Sequence, residues 1–315
     1  MKLREIAQPA DPPLAASRRK TPLEWDFPHI RQLGISLATS TANRRCNRMP
    51  NKPSGPFLAR LTHAGRSLVA ISALLAGVPA TATDSIQVET PRGAIIEVIA
   101  EKPDGEGPFP AVILGSGSGY HARLPILERT AQALLEKGIA VYRVDWAYRV
   151  AGTPFNDQPR DKKAEIEDLH TALDYARADP QVDNSRIALA GKSLGSVIAW
   201  QLLRVAPEVK GAILLTPVCD PAEDPEAPDL FYPALGDEDR PRLWILGDVD
   251  PVCPVTVLQQ YIAAGGKGDR IAIISGDHSY LSPLHPERDA RALDLATRLT
   301  TDFAETLLAP AQPAN

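Results

Sequence analysis

From residue 85 onward the hydrophobic positions follow two alternating rhythms. Short apolar runs are separated by longer stretches in which apolar residues return every three or four positions. The runs at 86–89, 94–100, 111–114, 139–144, 186–190, 212–215, 242–246 and 271–274 predict strands. Residues 111–114 (Ala-Val-Ile-Leu) show no polar alternation, as burial on both faces of a parallel sheet requires. The longer periodic stretches predict helices at 125–137, 162–177, 194–205, 255–264 and 287–308. Within 162–177, Ile166, Leu169, Leu173 and Ala176 form one apolar stripe. Gly138 and Gly265-Gly266 stand where helix C-termini favour glycine. Strands alternating with helices in this way predict an α/β domain with a largely parallel sheet.

The remaining stretches lack either period. Pro91-Arg92-Gly93 reads as the turn of an opening strand pair. Residues 145–160 form a polar loop. Residues 220–241 are rich in Pro, Asp and Glu and predict a loop or small lid, with no room for a large cap domain. No internal repeat is seen, and 309–315 reads as a frayed tail.

Composition is that of a globular protein: 315 residues, 44% hydrophobic and 23% charged. Charge divides the chain. The first 82 residues hold 12 Lys and Arg against 4 Asp and Glu, although the whole chain carries a net −5. The body is therefore strongly acidic, which argues against nucleic-acid binding, because phosphates demand clustered Lys and Arg. The basic start has another explanation. Lys52, Arg60 and Arg66 precede an apolar run at 68–78, and Ala80-Thr81-Ala82 offers small residues at cleavage positions. This is the pattern of a secretory signal peptide, too short to span a bilayer, which takes ~20 apolar residues. The expected division is an upstream extension at 1–48, a signal peptide at 49–82 beginning at Met49, and a mature domain at 83–315. Export to the periplasm or exterior follows, with an N-terminal membrane anchor as the alternative and no stable span once the signal is removed.

Gly191-Lys192-Ser193-Leu194-Gly195 lies between a strand and a helix, and that context carries the chemistry. A G-x-S-x-G turn bends so sharply that its serine is lifted above the sheet, and the flanking positions must lack side chains. The Leu194 N–H, opening the helix, is aimed at the oxygen that becomes negative during acyl transfer. A serine hydroxyl is a weak nucleophile and needs a base. Only His278 and His285 follow Ser193. His278 comes directly after the strand at 271–274, level with the serine; His285, between Leu284 and Pro286, reads as a surface residue. The acid is sought after the preceding strand, where Asp248 and Asp250 are both available. His121, after the glycine-rich loop, either lines the pocket or is a partly exposed loop residue; His170 reads as a surface residue, and Lys192 is expected to point away from the serine. Trp146, Tyr148 and Phe155 either shape the pocket or pack their loop. No Cys, His and Asp spacing suggests a metal, and no cofactor is implied.

These motifs, over about 86–308, make the chain similar to the α/β hydrolases, nearest the small, capless dienelactone-hydrolase-like branch. The resemblance implies an α/β-hydrolase fold: a mostly parallel eight-stranded sheet flanked by helices on both faces. Dienelactone hydrolases proper carry cysteine at the elbow, whereas this chain has Ser193, which turns the expectation to serine esterase chemistry. The segment Gly247-Asp248-Val249-Asp250-Pro251-Val252-Cys253-Pro254 resembles the family's acid loop, and on that match Asp250 orients His278. The family's His-Gly-x-Gly loop appears as Ser116-Gly117-Ser118-Gly119, which implies the Ser118 N–H as second oxyanion donor beside Leu194. In this fold the strands preceding Cys219 and Cys253 are neighbours, so a disulfide between the two is expected. The expected function is ester cleavage of a small-molecule substrate through an acyl-enzyme. A peptidase or amidase on the same triad, and a non-catalytic binding protein on the same scaffold, are the alternatives.

Overall fold

The computed structural model describes residues 85–159, 161–219, 231–265, 267–282 and 284–310. The expectations for 1–48, 49–82 and the first half of 220–241 fall outside the described residues.

Eight strands form one sheet: β1 (Ile86–Glu89), β2 (Ile95–Glu101), β3 (Phe109–Gly115), β4 (Ala140–Asp145), β5 (Val182–Lys192), β6 (Ala212–Leu215), β7 (Arg242–Gly247) and β8 (Asp269–Ile274). Their order is β1-β2-β4-β3-β5-β6-β7-β8. β2 runs antiparallel to β1 and to β4; every other pair is parallel. The helices are α1 (Pro125–Glu136), α2 (Ala147–Val150), α3 (Lys163–Ala178), α4 (Leu194–Val205), α5 (Val255–Ala264) and α6 (Asp289–Leu307). This is the α/β-hydrolase fold.

Period-two alternation sorts the central strands onto two helical layers. Val112, Leu114, Ala188, Ala190, Ile213 and Ile245 bury against α1 and α6 through Ile126, Leu134, Ala296 and Phe303. The intervening Ile113, Leu189, Leu214 and Trp244 are equally buried and face the α3 and α4 side. The chain reverses its direction of travel across the sheet at β3, which pairs with both β4 and β5. Open α/β sheets bind ligands beyond the strand C-termini at such a reversal, and Gly115 and Gly191 are paired there.

Two segments differ from the sequence reading. The polar loop at 145–160 contains α2 and a 3-10 turn, Phe155–Asp157. The cause is distant in sequence: the Ala147 N–H donates to Asp168 Oδ2 on α3 (2.9 Å), and Asp168 also accepts from Arg92 (2.5 Å). In the described half of 220–241, Tyr232 is wholly buried and its hydroxyl accepts from the Val218 N–H (3.1 Å). Phe231, Tyr232 and Leu235 anchor that half to the core, while Gly236, Asp237, Asp239 and Pro241 are exposed.

Far from the strand C-termini, Arg242 and Asp269 form a buried pair through Nε–Oδ1 (2.6 Å) and Nη2–Oδ2 (2.7 Å). Trp244 Nε1 also donates to Asp269 Oδ1 (2.7 Å). Removing one partner of a buried pair leaves the other charge uncompensated. Asp269→Ala is expected to destabilise the fold by about 3–5 kcal/mol, measured by denaturant unfolding. A loss under 1 kcal/mol would show that water reaches Arg242 freely.

Candidate active site

Ser193 lies between the last residue of β5 and the first of α4, at φ 56° and ψ −120°. A non-glycine residue rarely adopts positive φ, so its neighbours must impose it. A Cβ on Gly191 would lie 2.0 Å from the Gly195 carbonyl oxygen, and one on Gly195 would lie 2.4 Å from that of Gly115. Three stretches of bare backbone therefore touch, and the serine is pressed upward at the end of the central strand. Its side chain keeps a small opening, at 8% exposure.

His278 reaches Ser193 from the loop after β8. Its Nε2 is 2.9 Å from Ser193 Oγ, and its Nδ1 is 2.8 Å from Asp250 Oδ2. Asp277 shapes that loop by accepting from the N–H groups of Ser279 (2.7 Å) and Leu281 (3.0 Å). Asp250 is 3% exposed, and its Oδ1 accepts from the backbone of Val252 (2.8 Å) and Cys253 (3.3 Å). One carboxylate oxygen is thus held by backbone while the other meets the imidazole. Asp248 instead accepts from the Gly276 N–H (2.9 Å), which ties the acid-bearing loop to the histidine-bearing one. A disulfide joins Cys219 to Cys253, linking the loops after β6 and β7.

Burial pushes the His278 imidazole below its ordinary value, and the nearby positive charge of Lys192 pushes the same way; Asp250 opposes both. The imidazole is thereby kept neutral into mildly acidic solution. Its Nδ1 faces a carboxylate, so that nitrogen carries the proton and Nε2 is left to accept one.

Leu194 opens α4, and Ser118 follows the turn after β3; neither N–H has an acceptor among the described residues. The Ser118 peptide is clamped from one side. Tyr148 Oη donates to the Ser118 carbonyl (2.9 Å), and Trp146 Nε1 donates to those of Ser116 (3.1 Å) and Gly117 (3.2 Å). Trp146 and Tyr148 therefore order the glycine-rich loop. Phe155 stacks against Tyr148, with ring centroids 5.7 Å apart. His121 and His285 are exposed, and His170 lies beside Asp174 on the surface of α3.

The contacts of Lys192 had no counterpart in the sequence reading. It is wholly buried, and its ammonium donates to Tyr120 Oη (2.8 Å), Thr216 Oγ1 (2.9 Å) and the His278 carbonyl (2.7 Å). The Tyr120 hydroxyl lies over the glycine-rich loop, where a Cβ added to Gly117 would stand 2.5 Å from it. A cation ending an otherwise apolar, buried strand must find partners, and that signal was present at 186–192. Tyr120 has no such mark in the sequence. Among the described residues no cluster of His, Cys, Asp and Glu could hold a metal ion.

Strand order and serine turn together define the α/β-hydrolase class. The family model described as "Alpha/beta hydrolase domain" matches residues 109–305, and the chain belongs to that family. Among solved structures it is similar to Est1E from Butyrivibrio proteoclasticus bound to ferulic acid (18% identity, 71% of this chain and 100% of that one, TM-score 0.57). A similar likeness holds for an alpha-beta serine hydrolase homologue from Coxiella burnetii (21%, 69% and 96%, TM-score 0.53). The esterase domain of a Rhodothermus marinus protein also resembles it (16%, 71% and 98%, TM-score 0.52). At these identities the likeness is one of fold. No curated protein sequence matches the chain significantly.

The backbone contact around the elbow leads to a direct test. Gly195→Ala would drive a methyl group into main-chain atoms that no side-chain movement can clear. Overpacking of this kind is expected to cost about 1–3 kcal/mol and to displace Ser193. A variant with unchanged melting temperature and unchanged Ser193 reactivity would contradict that account.

Proposed function

We infer that the protein is a serine hydrolase that cleaves carboxylic esters. The observation that carries this reading is the continuous row Ser193 Oγ–His278 Nε2 at 2.9 Å and His278 Nδ1–Asp250 Oδ2 at 2.8 Å. In the first step His278 Nε2 takes the Ser193 proton as Oγ forms a bond to the substrate carbonyl carbon. The carbonyl oxygen becomes negative and is met by the N–H groups of Leu194 and Ser118. His278 then gives its proton to the leaving alcohol as the old C–O bond breaks. Water repeats the sequence in reverse and releases the acid. Asp250 holds the imidazole in the required tautomer and offsets its positive charge.

Esters are favoured over amides because esterases recur among the structurally similar proteins, one of them described with bound ferulic acid. Export is part of the proposal. It is supported by the signal-like segment before residue 83, and a disulfide suits an oxidising compartment.

Wild-type protein should hydrolyse short p-nitrophenyl esters and be labelled by a fluorophosphonate, whereas Ser193→Ala should lose both. A mutant labelled as fast as wild type would remove Ser193 as nucleophile. The acid limb of kcat/KM should lie below pH 6.5, because the imidazole must be neutral to act and its affinity for protons is depressed. A limb at or above the ordinary histidine value would mean that another group takes the proton.

A further inference from the structure

Lys192 supplies an ammonium with three N–H bonds, and the site offers it three acceptors, each within 2.9 Å. All three belong to residues around Ser193. Thr216, directly after β6, sits at φ 36°, and Tyr280, two residues after His278, at φ 60°. A β-branched residue at positive φ is a backbone outlier, and such strain persists only where the surroundings impose it. Two of the five positive-φ non-glycine residues described therefore adjoin this cation: Ser193 is its chain neighbour and Thr216 its hydrogen-bond partner. Only an ammonium with a fixed set of partners explains why a wholly buried lysine ends the central strand.

Tyr120 is the member of this group that faces the reaction. Its phenol oxygen accepts from Lys192, which leaves its own proton free to be donated. The ring is packed over Gly117, where an added Cβ would lie 2.3 Å from the phenol carbon. That places the hydroxyl, 2.5 Å from the same added Cβ, beside the peptide leading to Ser118, and the Ser193 hydroxyl is near enough to lower the phenol's proton affinity. Burial pushes the phenol well above its ordinary value, so Tyr120 keeps its proton. Removing Lys192 from water pushes it down to about 7, with Asp250 and Asp277 pulling the other way.

We propose that Tyr120 is a catalytic residue that donates a third hydrogen bond to the oxygen that becomes negative when Ser193 attacks, and that Lys192 is the positioning residue that aims it. The inference rests on the serine-hydrolase reading. As the Oγ–carbon bond forms, the carbonyl π pair moves onto oxygen, and that oxygen accepts from Leu194 N–H, Ser118 N–H and Tyr120 O–H. No proton is transferred from Tyr120; the Ser193 proton goes to His278. Lys192 also holds the His278 carbonyl, so one side chain sets both the base and the extra donor. The groups facing its ammonium are Tyr120, Thr216 and the His278 carbonyl, and the charges that act on it or respond to it are Asp250, Asp277 and the His278 imidazole.

The test compares wild type, Ser193→Ala, Tyr120→Phe and Lys192→Met in the full chain. The readouts are the rate of fluorophosphonate labelling, kcat and KM for p-nitrophenyl acetate, their pH dependence, and melting temperature. Tyr120→Phe should slow labelling and lower kcat by about 10²-fold, the scale of one lost oxyanion donor, with KM little changed. Lys192→Met should do the same and also move the acid limb of kcat/KM to higher pH, because a positive charge beside His278 has gone. Tyr120→Phe should leave that limb in place. A Tyr120→Phe protein that labels and turns over at the wild-type rate overturns the inference, even should Lys192→Met fail to fold. So does a Lys192→Met protein whose acid limb stays put. If wild type itself is not labelled, the serine-nucleophile reading has failed, and this inference with it.

Discussion

Backbone meeting backbone without side chains is the constraint on which this site is built. Gly191, Gly195 and Gly115 come so close that no Cβ could stand between them. Their contact forces Ser193 into positive φ and points its hydroxyl away from the sheet. Because Gly115 ends β3 and Gly191 nearly ends β5, the contact also sets the glycine-rich loop next to the serine. Elbow and oxyanion loop are thus one packing unit. Trp146 and Tyr148 complete it by holding the carbonyls of Ser116, Gly117 and Ser118 from the opposite side.

Three loops from the C-terminal half close over that unit. The loop after β7 carries Asp250 and the loop after β8 carries His278, and Asp248 ties the two through the Gly276 N–H. The disulfide joins the first of them to the loop after β6. Backbone hydrogen bonds tie these loops to one another, Cys219 N–H to the Val252 carbonyl (3.3 Å) and Val249 N–H to that of Gly276 (3.1 Å), and so brace the row from Asp250 to Ser193. Preorganisation of this kind is what makes hydrogen bonds in a dry site effective, since no reorientation is needed when charge develops.

Electrostatics in the site follow from burial. His278 and Lys192 are buried beside Asp250, whose negative charge favours the protonated form of each. Asp250 favours a charged imidazole, whereas burial and Lys192 oppose it. The net effect is a base that stays neutral at ordinary pH, which is the form that can accept the serine proton.

The eight apolar runs and the periodic stretches between them sufficed for the strands and for all helices of ordinary length, because burial on two faces leaves a local imprint on composition. The elbow was equally legible: glycines two before and two after a serine, between strand and helix, are dictated by local sterics. Chain order and the flanking segments pointed to His278, which meets Ser193, and to Asp250, which meets His278. Other features depend on atoms far apart in sequence and leave no local trace. Asp168 nucleates α2 within what read as a polar loop, and Tyr232 anchors the segment at 231–241 to the core. Lys192 looked like a lysine beside a serine, yet its partners arrive from the loops after β3, β6 and β8. A side chain's direction is set by which distant acceptors surround it, and those are brought together only when the sheet assembles.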